Sequence, residues 1–183
     1  MALMPVDEAL TRILDGAAPS ADIEMLPLGE SGGRVLARDL MALRTQPPFA
    51  ASAMDGYAVR ASEATTGAKL RLQGEAAAGH GFDGTLAPGS TIRIFTGAPV
   101  PDGADTILIQ ENAERLEDGL VLVNQAAEAG RHIRHAGVDF TEGKPGLEKG
   151  RLLDAGAITF AAAMNHAELP VVRKPRVAIL ATG

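Results

Sequence analysis

The sequence predicts an α+β chain that is rich in β-structure. Between residues 70 and 124 short apolar runs alternate with turns, and Gly79, Gly84, Gly89, Gly97, Gly103 and Gly119 punctuate them. Helical periodicity is confined to two segments, residues 6–14 and 154–164. The chain also holds 21 Gly and 11 Pro in 183 residues, a content that favours short strands over long helices.

In residues 6–14, Val6, Ala9, Leu10, Ile13 and Leu14 recur at helical spacing, and Asp15-Gly16 is a stop signal. Residues 23–28 read as extended, 31–37 as a short helix around Val35 and Leu36, and 39–43 as a strand ended by Pro47-Pro48. A helical turn is expected within 59–64. Strands are expected over 70–72, 91–95, 106–109 and 120–123. In the helix of 154–164, Ile158, Phe160, Ala161 and Met164 are the apolar positions, and Asn165 suits the left-handed residue after its end. Residues 170–172 read as a short strand. Residues 177–180 read as an apolar strand of the kind that opens a βα unit, so the chain is expected to be the front part of a longer protein. A strand closing a local sheet is the alternative.

The apolar fraction of 46% suffices for a core, built from Ala, Leu, Ile and Val because the chain has five Phe, one Tyr and no Trp. A net charge of −6 without a basic cluster argues against a nucleic-acid or membrane surface. The longest nearly apolar run is 155–164, short of the roughly 18–20 residues of a membrane span. The absence of Cys excludes disulfides and thiolate metal sites. Residues 1–10 lack the pattern of a secretory signal, and a cytoplasmic location is expected.

Residues 47–60 hold the only tyrosine, Tyr57, beside Ser52, Met54, Asp55 and Gly56, and read like neither a core strand nor a linker. Asp-Gly occurs at five places, so Asp55 taken alone is a turn residue; its neighbours make it a candidate to hold Mg²⁺ or orient a water. In 94–105 a strand runs into Thr96-Gly97, where a hydroxyl and an open backbone suit a ligand, or simply end the strand. In 131–140, Arg134 suits an oxyanion, or else pairs with Asp139 as a structural ion pair. His132 and His135 lack further ligands at metal spacing, so a transition-metal site is not expected. Residues 79–84 match G-x-G-x-x-G, but a turn rather than a helix follows, so dinucleotide binding is rejected.

Taken together, Pro48-Phe49 through Ser52-Ala53-Met54-Asp55-Gly56-Tyr57-Ala58, the block 94–105, Glu111, the R-x-x-G-x-D of Arg134, Gly137 and Asp139, and residues 175–183 resemble the MoeA family of molybdopterin molybdenumtransferases, whose animal relative is the E domain of gephyrin. The resemblance spans the chain. Two positions depart: Asn165 stands where the family usually has Gly, and His135-Ala136 replace residues that are often basic.

The resemblance implies an elongated, two-domain MoeA N-terminal fold. Residues 1–46 and 138–175 would form a discontinuous domain I, residues 47–137 a β-rich inserted domain II, and 176–183 the first strand of an α/β molybdopterin-binding domain III. That domain and the family's fourth would lie outside these residues. It also implies a homodimer that inserts molybdate into adenylylated molybdopterin with Mg²⁺ and releases AMP, so that the 183 residues alone would be inactive. Asp55, Thr96 and Asp139 would be the catalytic positions, with Ser52, Gly97 and Arg134 binding substrate and Asp55 holding Mg²⁺. A non-catalytic dimerisation or scaffold module of the gephyrin type is the alternative.

Overall fold

The structure, a computed structural model, describes residues 4–15 and 22–181. The Gly16 stop signal and Thr182-Gly183 fall outside them. The chain divides into two compact units. Arg44–Lys144 form one, and the described residues on either side of that stretch form the other.

The outer unit begins with helix α1 (Val6–Asp15), where the amphipathic periodicity predicts it. None of its residues is buried; Val6, Leu10, Ile13 and Leu14 are all exposed. Strand β1 (Ile23–Pro27) pairs antiparallel with β12 (Glu168–Val172), and β2 (Leu40–Met41) with β11 (Pro145–Leu147). Chain from the two ends therefore interleaves. Arg34, 8% exposed, fastens the first pair: its guanidinium bonds the Glu24 carboxylate of β1 and donates to the Val172 carbonyl of β12 at 2.7 Å. That bond, ahead of the opposing effect of burial, holds the Glu24 carboxyl below its ordinary value.

Helix α2 (Ala155–Ala163) starts on Asp154, whose carboxylate accepts from the Ala157 amide at 2.7 Å. It ends as expected, with Asn165 in the left-handed region at φ 76°. The side chains it buries are small, Ala157 and Ala161, followed by Met164. Gly146 of β11 lies against Met164: a Cβ there would fall 2.2 Å from the sulfur.

Two expectations fail in this unit. Residues 31–37 form no helix. Gly33 turns the chain at φ +71°, and Val35 and Leu36 then bridge to Leu152 and Val171; Gly32-Gly33 costs a helix too much backbone entropy to compete with that pairing. The strand expected over 39–43 shrinks to Leu40–Met41. Residues 177–180 pair with no described segment, and Val177, Ile179 and Leu180 are strongly exposed; the sheet they are expected to open would lie outside these residues.

The inner unit is built on a six-stranded mixed sheet. Its order is β7 (Thr106–Ile109), β4 (Gly56–Val59), β6 (Ser90–Ile94), β5 (Lys69–Ala76), β9 (Leu120–Val123), β8 (Ala113–Arg115). Only β5 and β6 run parallel. Both faces are covered. Tyr57, Val59, Leu70, Leu108, Val121 and Val123 pack on one, and Ala58, Ala76, Leu86, Ile92, Ile94 and Ile107 on the other. Alternation along β4 and β7 supplies both cores, each aliphatic side chain contributing about 1.5–3 kcal/mol.

Residues 56–59 correct the sequence reading of 47–60. Far from being unlike a core strand, Gly56–Val59 is an inner strand with all four residues buried. Gly56 is required there, because a Cβ would lie 2.1 Å from the Leu108 carbonyl oxygen. The helical turn expected within 59–64 forms only after the strand, where the Glu63 and Ala64 amides both donate to the Arg60 carbonyl. Residues 79–84 form turns, with Ala77 and His80 bridged, and no helix.

Candidate functional site

The site grows from the ends of three inner-unit elements. Strand β3 (Ala51–Ser52) pairs antiparallel with β10 (Ile133–Arg134), placing Ser52 opposite Ile133 and Ala51 opposite Arg134. The Ser52 amide donates to the Ala98 carbonyl at 2.9 Å, and the Gly97 amide donates back to the Ser52 carbonyl at 2.8 Å. This reciprocal pair locks the Thr96-Gly97 turn beside residues 48–58, and Gly97 takes φ +84° to make it.

Asp55 lies in the turn between β3 and β4. Its Oδ1 accepts two bonds from Thr96, from the backbone amide at 2.8 Å and from the hydroxyl at 2.7 Å. The amide bond first, then the hydroxyl bond, hold the Asp55 carboxyl below its ordinary value; burial opposes them, and the Arg93 charge adds to the lowering. Asp55 is thus an ionised carboxylate near the surface.

Ser52 is 1% exposed, and its hydroxyl donates to the Met54 carbonyl at 2.6 Å. It shapes the turn that presents Asp55. Arg134 and Asp139 are bonded to each other: one guanidinium nitrogen donates to both carboxylate oxygens, at 2.8 and 2.9 Å. The Asp139 and Phe140 amides both donate to the Gln46 carbonyl, and the Gly137 amide to the Pro47 carbonyl, so this loop is stitched to the segment leading into residues 48–58.

A cleft of about 350 Å³ lies among these elements, lined by Phe49, Ser52, Thr96, Gly97, Arg134 and Asp139 with the neighbouring Gln46-Pro47-Pro48 and Ala51 and Ala53. Five of the six sequence candidates line it. Asp55 does not, and is joined to it through Thr96. Glu111 sits in a 3-10 turn (Gln110–Asn112) whose first amide donates to the Asp55 carbonyl at 3.1 Å.

Sequence reasoning missed Arg93. Its guanidinium lies over the Tyr57 ring at 5.1 Å and the Phe95 ring at 4.8 Å. It donates to the Gly56 carbonyl at 3.1 Å and to Gln110 Oε1 at 2.8 Å. A cation between Ile92 and Ile94 in an expected strand was the available signal. His132 adopts φ 60°, and its carbonyl accepts from the Ala53 amide; among the described residues no group of three or more His, Cys, Asp or Glu could hold a metal.

Residues 4–165 match the family profile of the MoeA N-terminal region, domain I and II. The chain is 32% identical to the molybdopterin molybdenumtransferase of Haemophilus influenzae, over 99% of this chain and 45% of that protein. It is 40% identical to molybdopterin molybdenumtransferase 2 of Mycobacterium tuberculosis, over 86% of this chain and 40% of that protein. The crystal structure of the molybdopterin biosynthesis moeA protein of Pyrococcus horikoshii superposes with a TM-score of 0.88 at 32% identity, covering 95% of this chain and 47% of that one. The chain therefore spans less than half the length of these relatives. With a family match over most of its residues and a shared fold, it belongs to the MoeA family, in the N-terminal region made of domains I and II.

Proposed function

We propose that this chain supplies the N-terminal part of a molybdopterin molybdenumtransferase, which inserts molybdate into adenylylated molybdopterin and releases AMP. The observation that carries the reading is Asp55, held ionised by two Thr96 bonds beside a cleft that contains Arg134. Molybdate and the substrate's phosphates are anionic, so a bare carboxylate repels them. Asp55 acts by orienting a water or by holding Mg²⁺ against a phosphate.

The residues fit a magnesium ion. Thr96 occupies Oδ1 of Asp55, while Oδ2 accepts no hydrogen bond from the described residues. Magnesium usually takes only one or two carboxylates and completes its shell with waters and substrate phosphates, so the lack of an all-protein ligand cluster among the described residues does not count against it. When bound, the ion neutralises phosphate charge. Arg134 uses one nitrogen on Asp139 and offers its remaining donors to an oxyanion. Asp139 keeps that guanidinium in place. Thr96 orients Asp55 and lines the cleft, and the exposed Gly97 turn lets a ligand approach the backbone.

A second reading is an assembly module that only dimerises. The apolar stripe of α1 is exposed along its length. A homodimer formed through the outer unit would cover it, in keeping with either reading.

The discriminating experiment measures AMP release by the complete gene product, given adenylylated molybdopterin, molybdate and Mg²⁺. Asp55→Asn should fold normally and lose about 100-fold or more in rate. Undiminished AMP release by that variant removes Asp55 from the reaction.

A further inference from the structure

Arg93 is bonded to the two segments that hold the Asp55 peptide. Nη1 donates to the Gly56 carbonyl, the residue after Asp55, at 3.1 Å. Nη2 donates to Gln110 Oε1 at 2.8 Å, and the Gln110 amide in turn donates to the Asp55 carbonyl at 3.1 Å. These bonds close a circuit from Gly56 through Arg93 and Gln110 back to Asp55. Thr96, which binds the Asp55 carboxylate twice, follows Arg93 by three residues, in the turn just past the end of the same strand.

The guanidinium is itself fixed. Arg93 stands directly opposite Tyr57 in the β4–β6 register, and Phe95 lies two residues on, hence on the same face. Both rings face the cation, at 5.1 and 4.8 Å. A planar fork with two acceptors and two aromatic faces is an arrangement that lysine cannot reproduce. The one tyrosine of the chain is thus part of the support for the cation behind Asp55.

We propose that Arg93 is a positioning residue: through its fork to Gly56 and Gln110 it fixes the two carbonyls that follow the Asp55 Cα, those of Asp55 and Gly56, and so holds the carboxylate in register with Thr96. The proposal rests on the reading of Asp55 as a residue of the transferase reaction. It adds a role for Arg93 to that reading and requires no contact between Arg93 and substrate.

The test uses the complete gene product and three variants, Arg93→Lys, Arg93→Gln and Gln110→Ala, with Asp55→Asn as the reference for a lost carboxylate. The first readout is the backbone amide proton of Thr96 in a nitrogen-15 correlation spectrum, which reports its bond to Asp55 independently of turnover. The second is the split of kcat against KM for AMP release. Arg93→Gln should shift the Thr96 amide toward its position in Asp55→Asn. It should also lower kcat about tenfold or more while KM stays within about threefold, as expected for misplacement of a reacting group. Arg93→Lys should restore neither. If Arg93→Gln does not fold, Gln110→Ala, which removes one acceptor of the fork, is read in the same way. An unmoved Thr96 amide in the folded variants, or full rescue by lysine, overturns the proposal. A shifted amide with AMP release as fast in Asp55→Asn as in the parent leaves the positioning role standing and sinks the transferase reading of Asp55 instead.

Discussion

Thr96 binds one oxygen of Asp55 twice, through its amide at 2.8 Å and its hydroxyl at 2.7 Å. The two donors differ in how they can be removed. Side-chain substitution eliminates the hydroxyl and leaves the amide. Thr96→Val should therefore leave Asp55 tethered but freer to turn, with AMP release down by about tenfold to 100-fold in the complete gene product, whereas Thr96→Ser should retain most of the rate. Parental turnover by Thr96→Val would remove the hydroxyl from the proposed site.

Arg134 and Asp139 are bonded to each other in a pair about half exposed, with side-chain exposures of 52% and 43%. Such a pair contributes roughly 0–1 kcal/mol to stability. Arg134→Ala should consequently change the urea midpoint little, yet raise KM for the adenylylated substrate several-fold if the guanidinium meets its phosphates. Equal KM values in the parent and the variant would exclude Arg134 from binding.

At Gly56 the backbone of β4 lies so close to β7 that any side chain collides with a backbone oxygen. Gly56→Ala should destabilise the inner unit by about 3 kcal/mol or more, because neither strand can move without breaking the sheet. Chemical denaturation followed by circular dichroism measures this; a midpoint within error of the parent would contradict the close approach.

Asp154 caps α2, and the Ala157 amide first, with Arg151 contributing less, holds its carboxyl below the ordinary aspartate value of 3.8. The folded chain thus binds this proton less readily than the unfolded chain. The stabilisation is complete above the unfolded value and disappears as pH falls through the lower folded value. Asp154→Asn, which keeps a capping oxygen but cannot titrate, should show a shallower loss of thermal stability below about pH 4 than the parent. Identical acid limbs would show that this carboxylate does not titrate differently on folding.

The exposed stripe of α1 predicts self-association. Leu10→Glu with Ile13→Lys should shift the mass by light scattering from two copies to one while the helical signal persists. A parent protein that is already a monomer would dispose of the dimer.

Legibility in the sequence followed the range of the interactions. Helices α1 and α2 and strands β7 and β9 were readable because periodicity and flanking turns are local. Residues 31–37 misled because Val35 and Leu36 take partners at Leu152 and Val171, more than a hundred residues away. The two-residue strands at Ala51–Ser52 and Ile133–Arg134 carry no pattern of their own, yet their pairing brings Ser52 and Arg134 to one cleft. Asp55 and Thr96 were each visible as candidates, but the bond between them spans 41 residues and required the fold. Arg93 was hidden for a different reason: a charged residue in an apolar strand signals something, without naming the two rings and two acceptors that hold it.

The interleaving of β1 with β12 and of β2 with β11 has a consequence for synthesis. The ribosome completes Arg44–Lys144 before it makes β11 or β12, so the inner sheet can form while β1 and β2 still lack partners. Domains generally fold as units during translation, at about 5–20 residues per second. For several seconds Ile23 and Met25 wait on an unpaired edge, until residues 145–172 arrive. The interval between the two events is a window in which a chaperone, or another nascent chain, can reach β1.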